Sequence, residues 1–412
     1  MSSVLAMVLA GGRVDELLCL TEQRPKSALP VFATYRIIDF VLSNLMHSGI
    51  SNVGVLSQYR PYALVRHIGT GEHWDFVGRS RSIRILPPYR GFKASDWYQG
   101  TADAVYQNIS YIESFDPQHV LIASADHIYR MDYRPFIEFH IEKGADATIS
   151  FTRKKSRSSR FGYGVISRNG ILRDYQEKPN EPPSDWVSMT LYLFNRDFLI
   201  DVLKKNAKER SHEFGSDIIP KIVSSARVFG YKHDGYWAYA RTVDSYYKTN
   251  MNIINGKVAL KDWQVRTNLL ERCARADRLP AYINGDVINS VVSEGCIIEG
   301  KVRNSILSPG VAVANDSEVV DSIVFHDTII GRNTKLNKVI CDKDSRIGEG
   351  CMVGGFGRET KSGEFGDLLH SGITVLGRNT VVPNKTTIGA NTAIYSSGRI
   401  TVECVQPGST LR

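Results

Sequence analysis

A glycine pair, Gly11-Gly12, closes an apolar run from Val4 to Leu9 and opens a segment bearing Arg13, Arg24 and Lys26. Glycine lets backbone N–H groups approach an anion, and nearby cations offset its charge. The grouping therefore reads as a phosphate-binding turn after a first β-strand. Two features oppose that reading. Val14 is β-branched where such a turn would take another glycine, and Asp15-Glu16 sets two negative charges against a polyphosphate. Farther along, Asp126 ends another strand-like run, "HVLIASAD". A carboxylate there lies on the same rim as the glycine turn, because open α/β sheets take their ligands at the carboxyl ends of their strands. Taken alone, such an aspartate serves equally well as the cap of a following helix.

These residues need a sheet to hold them. Over the first ~250 residues, strand-like runs alternate with helical stretches, the pattern of an α/β domain with a mostly parallel sheet. "SVLAMVLA", "NVGVLSQ", "HVLIASAD" and "DATISFTR" read as strands; "YRIIDFVLSNLMHSG" and "TADAVYQNISYIES" read as helices. "DSYYKTNMNIINGKVALKDWQVR" reads as a helical connection, and residues 251–285 read as a helical linker. From about residue 286 to 412 the pattern changes. Ile330-Gly331, Ile347-Gly348, Leu376-Gly377 and Ile388-Gly389 mark short units of an aliphatic residue, a glycine and polar residues, at spacings near multiples of six. That is the hexapeptide signature of a left-handed parallel β-helix. Residues 355 to 372 interrupt the repeat and read as a protruding loop.

Composition narrows the possibilities. The chain has 412 residues, 42% hydrophobic and 23% charged, as in an ordinary globular protein of two domains. No apolar run approaches a membrane span, and no basic region precedes Val4, so the expectation is a cytoplasmic protein without a membrane partner. Cys19, Cys273, Cys296, Cys341, Cys351 and Cys404 lack metal-ligand spacing and read as reduced, packed thiols. The net charge is +8. Its one dense cluster, Thr152 to Gly164, reads first as a solvated loop and next as a contact for anionic metabolites. No motif supports nucleic-acid binding.

Joined in order, "LAGGR", "LTEQRPKSA", "YRIIDFVLSN", "SQYRPYALVRHI", "DWYQGTADAVYQN", "FGYGVI", "QEKP" and "FGSDIIP" cover nearly the whole chain. This chain resembles the bacterial ADP-glucose pyrophosphorylase family, which joins ATP and glucose 1-phosphate into ADP-glucose and pyrophosphate for glycogen synthesis. The resemblance implies a Rossmann-like α/β nucleotidyltransferase domain followed by the left-handed β-helix. It implies that Gly11, Gly12 and Arg13 face phosphates and that Lys26 and Asp126 are catalytic, with Asp126 a ligand of Mg²⁺. Gln58, Trp97, Tyr98 and Asp103 would line the nucleotide side; Glu177, Lys178 and Ser188 would hold the sugar and its phosphate. Family members are tetramers, which implies a homotetramer or a mixed assembly with a catalytic homologue.

The sequence departs from this family on one side only. The family's G-G-x-G-T-R-L reads Gly11, Gly12, Arg13, Val14, Asp15, Glu16, Leu17, so Glu16 stands where an arginine would face the triphosphate. The family's "YW-x-D-V-G-T" reads "YWAYART", which puts Tyr239 at the second metal-binding aspartate, and Phe32-Ala33 replace two glycines. A phenol is a poor ligand for a hard cation. The expectation is an impaired or regulatory subunit that holds sugar phosphate or a phosphorylated effector. The alternative is a full enzyme in which Arg13 or Arg241 compensates. A β-helix acyltransferase is the least supported reading, because His326 and His370, the histidines of the repeat region, read as surface residues.

Overall fold

The computed structural model describes residues 3–89, 97–154, 158–268 and 279–412, and they form two compact units. The first unit comprises Met1–Gly12, Ile38–Pro61 and Ile68–Trp237; the second comprises Arg13–Ile37, Tyr62–His67 and Ala238–Arg412. The units thus do not divide at residues 250 and 286. The turn after Gly12 packs with the C-terminal unit, a long-range association that sequence periodicity does not encode.

In the first unit, strand β1 (Val4–Leu9) is flanked on both sides by parallel neighbours, β2 (Asn52–Leu56) and β4 (His119–Ser124), and β3 (Ser82–Leu86) extends the parallel half. Beyond β4 the sheet is mixed: its next pairings are antiparallel, and the strand Val228–His233 closes one edge parallel to Ala147–Arg153. Strand β8 (Trp186–Asn195) pairs with β4 and also with β5 (Ala147–Arg153), while β6 (Gly162–Ile166) and β7 (Leu172–Glu177) form an edge hairpin. The β1 and β4 interiors are apolar on both faces, as expected of central parallel strands. Met7, Ile122, Phe151 and Phe194 are fully buried in this core. Two expected helices shift. "YRIIDFVLSNLMHSG" becomes helical only at Ile37–His47, because Tyr35–Arg36 pair as a short strand. "TADAVYQNISYIES" breaks into α-helices Thr101–Tyr106 and Ile109–Phe115.

The second unit is built on three parallel sheets whose strands follow one another in rotation. Val302, Val319, Leu336 and Val353 stack in register inside the coil and are buried. This is the left-handed parallel β-helix that the aliphatic-glycine units anticipate. One outer face is buried as well: Ile306, Ile323 and Ile340 are fully covered. The unit's own N-terminal pieces and helix Val243–Met251 lie there, with Tyr246 edge-on to Phe325 at 6.4 Å and the Tyr247 hydroxyl donating to the Asp321 carbonyl at 2.7 Å. That helix starts at a capping box: Ser245 N donates to Thr242 Oγ1 at 3.2 Å and Thr242 N to Ser245 Oγ at 2.8 Å. The expected helical connection continues only as Leu260–Trp263, and residues 269–278 of the linker lie outside the described residues.

Several expectations are corrected here. The loop over residues 355–372 does not protrude freely. Asn391 Nδ2 donates to the Thr360 carbonyl at 2.7 Å and Gly363 N to the Gly408 carbonyl at 3.0 Å, and Leu369 is buried. His326 is buried, not a surface residue, whereas His370 is exposed. Cys19, Cys296, Cys341 and Cys351 are buried free thiols, Cys404 is exposed, and Cys273 falls outside the described residues. The basic run from Thr152 to Gly164 is held in strands at both ends, with Thr152 and Tyr163 buried, while Arg153, Ser159 and Arg160 between them are exposed, in keeping with a solvated loop; residues 155–157 lie outside the described residues. Among the described residues no helix is long and apolar enough to cross a membrane.

Candidate functional site

The carboxyl ends of β1, β2 and β4 open onto a cavity of about 250 Å³ in the first unit. Gly11, Gly12, Gln58, Tyr98 and Asp126 all line it, so five of the residues singled out from sequence share one wall. Gly11 is required by close approach: a Cβ there would stand 2.9 Å from the Gln58 backbone nitrogen. Gln58 and Tyr98 lock each other. Tyr98 N donates to Gln58 Oε1 at 2.6 Å, the Tyr98 hydroxyl donates to the Leu86 carbonyl at 3.0 Å, and burial pushes the phenol up to about 12. Tyr98 is thus a neutral, fixed aromatic wall suited to a planar base.

Two nucleotide-side expectations fall elsewhere. Trp97 is 62% exposed and Asp103 accepts from Gln99 N at 2.9 Å and Gln107 Nε2 at 2.8 Å, so Asp103 organises the start of its own helix. Sequence reasoning missed Thr101, Ser124, Thr190 and Glu213, which also line the cavity. Glu213 accepts from the Thr101 hydroxyl at 2.5 Å and its backbone N at 3.1 Å. Its signal lay one residue ahead of "FGSDIIP". Thr190 sits in an irregularity of β8 with φ 50, a left-handed conformation that turns it out of the regular ladder.

Glu177 ends β7 and Lys178 follows it. Lys178 stands exposed with φ 49, its N–H donating to the Phe161 carbonyl at 3.0 Å. Left-handed backbone at a lysine and a threonine is strain of the kind that sites retain. Glu177 accepts from the Tyr175 hydroxyl at 2.9 Å. Burial raises its pKa above the ordinary carboxylate value; Tyr175 and Lys178 oppose that, and Glu213 adds to it. A Cβ on Gly215 would meet Glu177 Oε2 at 2.6 Å, so glycine there makes the seat of the carboxylate. Ser188 is buried on β8, its hydroxyl accepting from Thr190 N at 3.3 Å. A carboxylate, a cation and a hydroxyl are the side-chain groups that recognise a hydroxylated anion.

The remaining predicted residues belong to the second unit. Val14 has φ −130 and ψ 96, so the turn accommodates valine in extended backbone. The cations are engaged. Arg13 pairs with Asp15 at 2.6 Å in solvent, and Arg24 is buried against Asp342 at 2.5 Å. Arg241 Nε donates to Glu16 Oε1 at 2.8 Å and one terminal nitrogen donates to the Tyr239 hydroxyl at 3.1 Å. Burial pulls the Arg241 pKa down, but Tyr239 and Glu16 outweigh it and the net shift is upward. Lys26 is buried with its ammonium 3.9 Å above the Tyr239 ring. The two arginines considered as substitutes for the missing one are therefore each paired with an acid of the turn itself.

Residues 5–256 match the nucleotidyl transferase family and residues 278–376 match the GlmU-like, C-terminal hexapeptide family. The chain is similar to the glucose-1-phosphate adenylyltransferase of Thermomicrobium roseum, 42% identical over 96% of this chain and 93% of the relative. It is also similar to those of Fervidobacterium nodosum, 39% identical over 96% and 95%, and of Acetivibrio thermocellus, 39% identical over 95% and 92%. With the cavity at the strand ends, the β-helix and identity sustained along both, the chain belongs to the glucose-1-phosphate adenylyltransferase family.

Proposed function

We propose that this chain is a catalytically impaired or regulatory subunit of ADP-glucose synthesis from ATP and glucose 1-phosphate. In this reading it binds the sugar phosphate or a phosphorylated effector and acts on a catalytic homologue within a tetramer in the cytoplasm. The observation that carries the reading is the engagement of Glu16, Tyr239 and Arg241 with one another. In-line transfer asks the protein chiefly for positioning and charge neutralisation. The sugar-phosphate residues Glu177, Lys178 and Ser188 are all present, whereas the cations near the turn are consumed internally. Asp126 suits a hard cation, but its expected co-ligand is a phenol that accepts from a guanidinium and lies beneath an ammonium. That donor set does not fit a Mg²⁺ seat of two carboxylates.

The test is pyrophosphate release by the purified protein with ATP, glucose 1-phosphate and Mg²⁺. The expected rate lies below that of a competent relative by at least the about 10²–10³ that one missing electrostatic group costs. Binding of glucose 1-phosphate should persist and be lost in Lys178→Ala. Robust turnover by the unaltered protein would sink the reading and leave a full enzyme.

A further inference from the structure

Glu16, Tyr239 and Arg241 are the chain's own departures from its family's motifs, and all three meet in one cluster. Arg241 stands at the glycine of "YW-x-D-V-G-T" and reaches both of the others, at 2.8 and 3.1 Å. The side chains of the ion pair are only 36% and 31% exposed. Each end of the cluster is itself anchored. Thr242, next to Arg241, caps helix Val243–Met251, and the turn Asp15–Thr21 buries Leu17, Leu18, Cys19 and Leu20. The Thr21 hydroxyl closes the turn by donating to the Val14 carbonyl at 2.7 Å.

We propose that Arg241 closes a permanent latch, fixing the turn Asp15–Thr21 to the segment Tyr239–Thr242 in one conformation whether or not nucleotide or divalent cation is present. The latch deepens the reading of the chain as impaired, and it rests on that reading. A turn that engages phosphate must be free to meet it; this one carries its cation and anion already matched. The substitutions also depend on each other. Replacing Glu16 with arginine alone sets two guanidiniums together, and placing aspartate at position 239 alone offers Arg241 a second carboxylate. Reversal at positions 14, 16 and 239 therefore opens the latch, yet Arg241 then pairs with the restored aspartate unless it changes too.

Amide hydrogen exchange of residues 15–21 tests the latch without any turnover. In the native protein the exchange should be the same with ATP and Mg²⁺, with ATP and a chelator, and with neither. Arg241→Gln should speed it roughly tenfold, the equivalent of one charged hydrogen bond. Glu16→Arg should do the same, and the charge-swapped pair Glu16→Arg with Arg241→Glu should restore the native rate. Exchange slowed by ATP in the native protein overturns the latch, as does exchange unchanged in Arg241→Gln or a swap that adds the two single effects. Robust turnover instead overturns the impaired reading, and the exchange data still judge the latch.

Discussion

Phe32 and Ala33 occupy the place of two family glycines and keep the glycine backbone, with φ 50 and 72. Left-handed backbone costs a residue with a Cβ roughly 1–2 kcal/mol. The surroundings hold it in place: Phe32 N donates to Asn250 Oδ1 at 2.9 Å, and Ser308 Oγ donates to the Ala33 carbonyl at 2.7 Å. Ala33→Gly removes only a methyl and relieves the strain, so it should stabilise the fold by about 0.5–1 kcal/mol in denaturant titration. A loss would mean that the methyl packs better than the backbone strains. Glu177 makes a second test. Its pKa is raised in the fold from the ordinary 4.5, chiefly by burial, so the native state holds the proton longer than the unfolded chain does. Stability from this group is complete below pH 4.5 and is lost as pH rises through the folded value. Glu177→Gln should therefore raise the thermal midpoint at pH 8 and not at pH 4.5, while weakening sugar-phosphate binding. The glycines, Gln58, Tyr98 and Asp126 were legible because motif order exposes them. Glu213 and Thr190 were not, since a strand irregularity and a turn from a distant segment bring them to the cavity.

Among elements, periodicity revealed what is locally repetitive. Central strands such as Val4–Leu9 and the stacked aliphatics of the β-helix follow from runs of apolar residues and from aliphatic-glycine spacing. Which element packs on which is long-range information, and there the sequence misled: Arg24 reads as a phosphate cation, yet it anchors the N-terminal turn to Asp342 on the β-helix within the second unit. Arg24 is 5% and Asp342 2% exposed, and Asp342 also accepts from Lys343 N at 2.7 Å. Breaking a buried pair leaves its partner charged and uncompensated. Asp342→Asn should cost about 3–5 kcal/mol in equilibrium unfolding. Asp344→Asn supplies the contrast. Its partner Arg378 sits 2.9 Å away with both side chains more than a third exposed, so its loss should cost under about 1 kcal/mol. Equal losses would show that burial does not set the worth of the Arg24 pair.

At the scale of the whole molecule, a subunit that regulates must touch what it regulates. Effect on a partner is a coupling free energy, and coupling requires that the two chains have states in common. The β-helix gives a physical reason to expect association, since a solenoid stacks only on its neighbours and its terminal coils present open strand edges. At the first coil Tyr282 is 59% and Ile283 49% exposed, an apolar end that solvent does not favour. Sedimentation at micromolar concentration should therefore find a species larger than the monomer. Co-expression with a catalytic homologue should give mixed assemblies in which the homologue's affinity for its substrates or effectors shifts about 5–150-fold, the range of ordinary allosteric coupling. The same shift should be reduced by Lys178→Ala in this chain if sugar phosphate bound here is the signal, and untouched by it if assembly alone is. A strict monomer that leaves the homologue's kinetics unchanged would remove the regulatory role, and a chain that neither turns over nor couples would have no part in ADP-glucose synthesis.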